Sequence, residues 1–143
     1  MREILFRAKR TDTGEWVEGY YFCMVHDDGR HVHHFIMPLG TDLSLGTPIE
    51  KIQVEVNPDT ICQYTGLTDK NGNKIWENDV IRYFNVPGTK RTTWIVEYSY
   101  GGFRVSDNNP DMDERLYIDN DSIEWDVCEV IGNIFDNPEL LEV

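Results

Sequence analysis

Residues 67–80 read L-T-D-K-N-G-N-K-I-W-E-N-D-V, and what they ask of the backbone decides the fold. Asn71-Gly72 sits between extended flanks, I-C-Q-Y-T-G-L before it and K-I-W after it. A two-residue type I′ turn needs positive φ at both central residues, and Asn followed by Gly accepts that at little steric cost. The pair is therefore predicted at a hairpin tip. Asn78 carries the same argument one turn later. After Gly, Asn is the residue most tolerant of the left-handed region. It is predicted to turn the chain sharply after Trp76-Glu77 and launch a new strand over residues 79–84. A tight turn followed by a strand bends a small sheet round on itself.

Towards the N-terminus, R-E-I-L-F-R-A-K-R alternates, T-D-T-G turns, and E-W-V-E-G-Y-Y-F-C-M-V is aromatic and β-branched. These runs read as a hairpin from about Arg2 to Val25. A turn at Asp27-Asp28-Gly29 leads to a return strand, H-V-H-H-F-I-M. Residues 39–48 read as a loop. I-E-K-I-Q-V-E-V is predicted as a strand with Ile52, Val54 and Val56 on one face, followed by a turn at Asn57-Pro58. Towards the C-terminus, Asn85–Thr89 is a loop and T-T-W-I-V-E-Y-S-Y a strand, which Gly101-Gly102 breaks or bulges before F-R-V resumes it. S-D-N-N-P-D-M-D-E is the longest polar loop. A further strand spans about Cys128 to Phe135, and Asn137-Pro138-Glu139 opens a short terminal helix. The fold class expected is all-β: a small, partly open β-barrel over residues 59–143, an N-terminal β-hairpin lobe over residues 1–58, and a short C-terminal helix.

The 143 residues carry a net charge of −13, unevenly spread. Between Asp107 and Val143 there are twelve acidic residues against one basic residue, Arg115. Phosphate contacts need a positive surface, so direct nucleic-acid binding is disfavoured. The acidic end reads as a solvating face, or more sharply as a surface that docks on a basic protein or mimics nucleic acid. Three cysteines without a C-x-x-C argue against a disulfide framework and a cysteine zinc site, and favour a reducing compartment. No signal peptide and no apolar run of transmembrane length is visible, so a cytoplasmic protein with no membrane association is expected.

All four histidines lie in H-D-D-G-R-H-V-H-H. His31 and His33 share a strand face and His26 is able to meet them across a hairpin, while imidazole with carboxylate suits zinc or nickel. His31, His33 and His34 are the candidate metal ligands, against the alternative of an exposed hairpin that binds nothing. Asp69, Asn71 and Asn73 imitate the start of a calcium loop, but Gly72 comes one place early and position 80 is Val, so turn chemistry explains them better. Lys90-Arg91 beside Trp94 is a small basic patch. Trp16, Trp76, Trp94 and Trp125 with Tyr20, Tyr64 and Tyr98 are either a binding platform or core, and core is the commoner use. No phosphate loop, dinucleotide fingerprint or nucleophile elbow is present, and no cofactor is expected.

Three blocks, M-R-E-I-L-F-R-A, Q-Y-T-G-L-T-D-K-N-G-N-K-I-W-E-N-D-V-I and V-I-G-N-I-F-D-N-P-E-L-L, resemble the YopX family, small proteins typical of phages and prophages of low-GC bacteria. The family commonly has Gly where this chain has Asn78, and residues 26–55 match no pattern of it. The resemblance implies a β-barrel with an added β-rich part, a bacterial host cytoplasm, and no established catalytic activity or catalytic residue. Two functions are expected from this. The first is a non-enzymatic accessory protein that binds a host or phage protein through an acidic face including Asp111, Asp113, Asp119 and Asp121. The alternative is a metal-binding protein or metal-dependent enzyme centred on His26–His34. Strand edges also leave homo-oligomerisation open.

Overall fold

The structure is a computed structural model, and it describes residues 3–41, 44, 46–84, 86–111 and 113–141. Arg2 of the expected first strand, and Asp42, Leu43, Leu45, Asn85 and Met112 of the expected loops, lie outside the described residues. The described residues form antiparallel sheets and short 3₁₀ turns, with no α-helix among them. None of their helical segments is long and apolar enough to cross a membrane. The chain divides into two compact units, Met1–Tyr64 and Thr65–Val143, a few residues beyond the expected division after residue 58.

In the first unit, β1 (Phe6–Lys9), β2 (Trp16–Val25), β3 (Val32–Pro38), β4 (Val54–Glu55) and the start of β5 (Cys62–Thr68) lie in the order β4-β3-β2-β1-β5. The expected first hairpin is present, registered from Phe6↔Gly19 to Lys9↔Trp16. The return strand pairs with β2 from Gly19↔Pro38 to Val25↔Val32. Ala8, Ile36 and Val56 are buried together, with Phe6, Val17, Val54 and Ile61 packed against them. The strand expected over residues 49–56 is mostly absent. Extended Pro48 caps a 3₁₀ turn at Ile49–Lys51, and the Ile52 and Gln53 amides return to the Ile49 carbonyl at 3.0 and 3.1 Å. Those local bonds remove the donors a strand would offer to β3, so only Val54–Glu55 pairs with it.

In the second unit β5 ends and the chain returns as β6 (Lys74–Trp76). Strands β7 (Asp79–Arg82), β8 (Thr93–Ser99), β9 (Gly102–Ser106), β10 (Tyr117–Asp119) and β11 (Glu129–Asn133) form a sheet ordered β10-β9-β8-β7-β11. Trp94, Ile75, Ile81, Val96, Val105 and Cys128 are fully buried at its centre. Removing side chains of this size from water stabilises the fold by about 1.5–3 kcal/mol each.

Two expectations are corrected here. The sheet does not close into a barrel, because β10 and β11 are its two edges. Closure needs edge strands of matched length and stagger. Strand β10 has three residues, and the chain after it forms 3₁₀ turns at Asn120–Ser122 and Trp125–Val127 instead. Ile123 and Trp125 from that segment join the core cluster, so irregular chain covers apolar surface that a closing strand would have covered. The terminal helix is a single 3₁₀ turn, Pro138–Leu141, closed by the Leu140 amide on the Asn137 carbonyl at 3.1 Å. A segment this short gives too few backbone bonds to offset helix nucleation.

The turn chemistry also moves. Gly72 takes φ of 81°, but Asn71 stays out of the left-handed region. The Asp69 amide donates to the Asn73 carbonyl (2.9 Å) and the Gly72 amide to the Asp69 carbonyl (3.1 Å), which makes a three-residue loop ending in a left-handed glycine. The cause is Asp69, whose Oδ1 accepts from the Asn71 and Asn73 amides at 2.9 Å each. Positive φ at both central residues occurs instead at Tyr100 (51°) and Gly101 (79°), between β8 and β9. Tyr100-Gly101 is therefore the tip of a hairpin closed by Ser99↔Gly102, and the two glycines do not break or bulge a single strand. Asn78 takes φ of 70°, as its residue type suggests.

Candidate functional site

The histidine hairpin lies in the first unit. Residues alternate faces along β3, so neighbours part company. His33 faces Glu55, with Nδ1 2.6 Å from Oε2. His34 lies on the other face, its Nδ1 2.6 Å from the Tyr21 hydroxyl and its ring stacked on that tyrosine. His31 pairs with Asp28. The His26 ring is 4.8 Å from that of His33 and 6.0 Å from that of His31. The fold thus gathers His26, His31 and His33 and separates His34 from them. Beside them Met24, Val25, His26, Asp27, His33 and Phe35 line an open cavity of about 500 Å³. Among the described residues no group of three or more His, Cys, Asp or Glu side chains is placed to hold a metal ion.

The acidic face lies in the second unit, around β9 and β10. The loop joining these strands is built by side chains that each bind a backbone amide two residues on. Asp107 Oδ1 accepts from the Asn109 amide (3.1 Å), Asn109 Oδ1 from the Asp111 amide (3.0 Å), and Asp111 Oδ1 from the Asp113 amide (3.1 Å). Asp107 also accepts from the Leu116 amide at 3.1 Å and pairs with Arg91, which ties both ends of the loop to one buried carboxylate. Asp111, Asp113, Asp119 and Asp121 are all exposed. Arg104 makes a loose approach to Asp119, at 3.9 Å.

The outer face of this sheet carries a layer that sequence reasoning passed over. Arg104 donates from Nε to Ser99 Oγ at 2.6 Å. Its guanidinium lies 4.5 Å from the Tyr100 ring centre and 4.3 Å from that of Tyr117. Ser106 donates to Glu97 at 2.8 Å, and Arg115 reaches Glu97 at 3.8 Å. The signal in the sequence was Y-G-G between two strands, where a hairpin tip accounts for the glycine and the turn itself does not call for a tyrosine.

The remaining candidates serve the fold. Trp94 is fully buried, so the Lys90-Arg91 patch has no exposed tryptophan on which a base would stack. Trp76 and Trp125 are also buried, as is Tyr64, while Tyr20 and Tyr98 are half exposed. Asp69 is buried within the second unit, where its Oδ2 accepts from the Val130 amide of β11 at 2.9 Å. Burial pushes its carboxyl up, but the amides of Val130, Asn73 and Asn71 outweigh that and hold it below the ordinary value. Burial, with Asp126, Asp69 and Glu124 nearby, pushes the Cys128 thiol up to about 12, which disfavours the reactive thiolate.

No curated protein matches this chain. Three chains of solved structures do. One is the crystal structure of protein EF1440 from Enterococcus faecalis, 27% identical, with a TM-score of 0.53 over 99% of this chain and 100% of that one. The family model described as YopX protein matches residues 5–142. With the match running almost end to end over this β-rich fold, the chain belongs to the YopX protein family.

Proposed function

We propose that this protein is a non-enzymatic binding module whose acidic C-terminal third docks on a protein partner. The observation that carries the reading is the exposure of Asp111, Asp113, Asp119 and Asp121 around β10, in a segment whose sequence holds a single basic residue. Carboxylates arranged this way repel phosphate backbones and attract basic protein surfaces. The loop is held by its own side-chain to backbone bonds, so the face is presented without a large ordering cost on binding. In this reading the protein is a phage or prophage accessory protein that works in a bacterial host cytoplasm on a host or phage protein, a proposal that the family resemblance motivates.

Affinity capture from host and infected-cell lysates tests this, comparing the protein with a variant carrying Asn at positions 111, 113, 119 and 121. Captured proteins are identified by mass spectrometry and then purified for direct binding measurement. The expected result is one specific partner with a basic surface, retained by the parent protein and lost by the variant. A partner bound equally by both would move the docking site elsewhere.

A further inference from the structure

The hairpin tip between β8 and β9 is occupied by an unusual residue. Tyr100 and Gly101 both have positive φ, the geometry for which Asn-Gly is the common solution. A tyrosine there gains nothing from the backbone, since left-handed φ crowds its Cβ. It gains nothing from the core either, because Tyr100 is 96% exposed. Tyr117, 37% exposed, presents its ring to the same Arg104 guanidinium as Tyr100. The layer is rigid. Arg104 sits between the two tyrosine rings and is anchored to Ser99, with Asp119 opposite it in the β9–β10 register. Exposed aromatic rings held on a fixed sheet, with a polar rim, have the composition of an interface hot spot.

Charge selects the occupant. Exposed Asp119 lies two residues after Tyr117 on the same strand face and opposite Arg104, in a segment from Asp107 onward with twelve acidic residues against one basic residue. A nucleic acid or an anionic lipid surface is repelled by that segment, and a second copy of a chain of net charge −13 is repelled too. A cationic group meets a ring face and a carboxylate within one footprint. From these features we infer that Tyr100 and Tyr117 form the anchor of the docking face, and that the partner presents an arginine-rich segment to it. Arginine suits the site better than lysine because a planar guanidinium stacks on tyrosine, as that of Arg104 already does, while its edge stays free to donate to a carboxylate. This rests on the acidic-face reading above and adds to it the anchor residues and the chemistry of the partner.

The test uses the full-length protein and short fluorescein-labelled peptides, in which arginine, lysine or glutamate alternates with Gly and Ser, followed by anisotropy at physiological salt. Tyr100→Asn is the decisive variant, because Asn keeps the turn geometry and leaves the thermal midpoint unchanged or raised. The expected result is binding of the arginine peptide, about three- to fivefold weaker binding of the lysine peptide, no binding of the glutamate peptide, and loss of the arginine preference in Tyr100→Asn. If the arginine peptide binds Tyr100→Asn as tightly as the parent but not the fourfold Asp→Asn variant, the acidic-face reading stands and the tyrosine anchor is overturned. No binding to the parent overturns the anchor, and the lysate capture then judges the acidic face separately. A dimer of the parent that Tyr100→Asn converts to monomer, seen by sedimentation, also overturns it, since a second copy would then be the occupant.

Discussion

Two residues, Asp69 and Asn78, set the path of the chain through the second unit. Asp69 spends one carboxylate oxygen on the loop amides of Asn71 and Asn73 and the other on Val130, so one side chain shapes a turn and fastens β11. Losing charge-assisted bonds of this kind costs about 1.5–3 kcal/mol, and Asp69→Asn is expected to lower stability by that order in urea unfolding at neutral pH. Because its pKa is depressed on folding, the contribution of Asp69 is complete above the ordinary value of 3.8 and is lost as pH falls below it. The parent should therefore lose more stability than Asp69→Asn between about pH 5 and about pH 2. Asn78, at φ of 70°, makes a different demand. Asn78→Ala is expected to cost about 1–2 kcal/mol and Asn78→Gly less, by the same unfolding measurement. The left-handed turn at Asn78 was legible because residue type alone carries it. The geometry of Asn71 was not, because a carboxylate two places earlier competes for its amide, and that competition depends on where Asp69 is held by β11.

Among the elements, strands with clear alternation and sharp turns were legible and short irregular ones were not. The β1–β2 and β2–β3 pairings follow from apolar runs parted by Gly-containing turns. The strand expected over 49–56 failed because Pro48 starts a 3₁₀ turn, a local preference that outweighed the apolar period of Ile52, Val54 and Val56. Strand β11 carries a register shift between Val130 and Gly132. At Gly132 an added Cβ would lie 2.5 Å from Asn137 Oδ1 and 2.9 Å from Leu140 Cδ1. Gly132→Ala is therefore expected to destabilise by about 1–3 kcal/mol and to speed exchange of the Leu140 amide, which closes the terminal turn. On the histidine hairpin, Asp28, Glu55 and Tyr21 each engage a different imidazole. Elemental analysis of untagged protein is accordingly expected to find no stoichiometric zinc or nickel. One equivalent of metal, with a metal-dependent thermal shift removed by changing His26 and His33 to Ala, would restore the metal-binding reading.

For the molecule as a whole, composition announced an acidic surface and a β-rich core, and its family was readable from three blocks of sequence. The open sheet was not readable, since Ile123 and Trp125 look like loop residues until they are seen within the core. Nor was the aromatic layer, because Arg104, Tyr100 and Tyr117 meet only once β8, β9 and β10 are aligned. The account holds that the acidic segment and this aromatic layer together make one docking face. The most direct test is a backbone amide chemical-shift map of the full-length protein titrated with the arginine peptide. The account requires saturable shifts concentrated at residues 97–106 and 113–121. Shifts concentrated on the His26–His34 hairpin instead, or spread evenly over every acidic stretch, would contradict it.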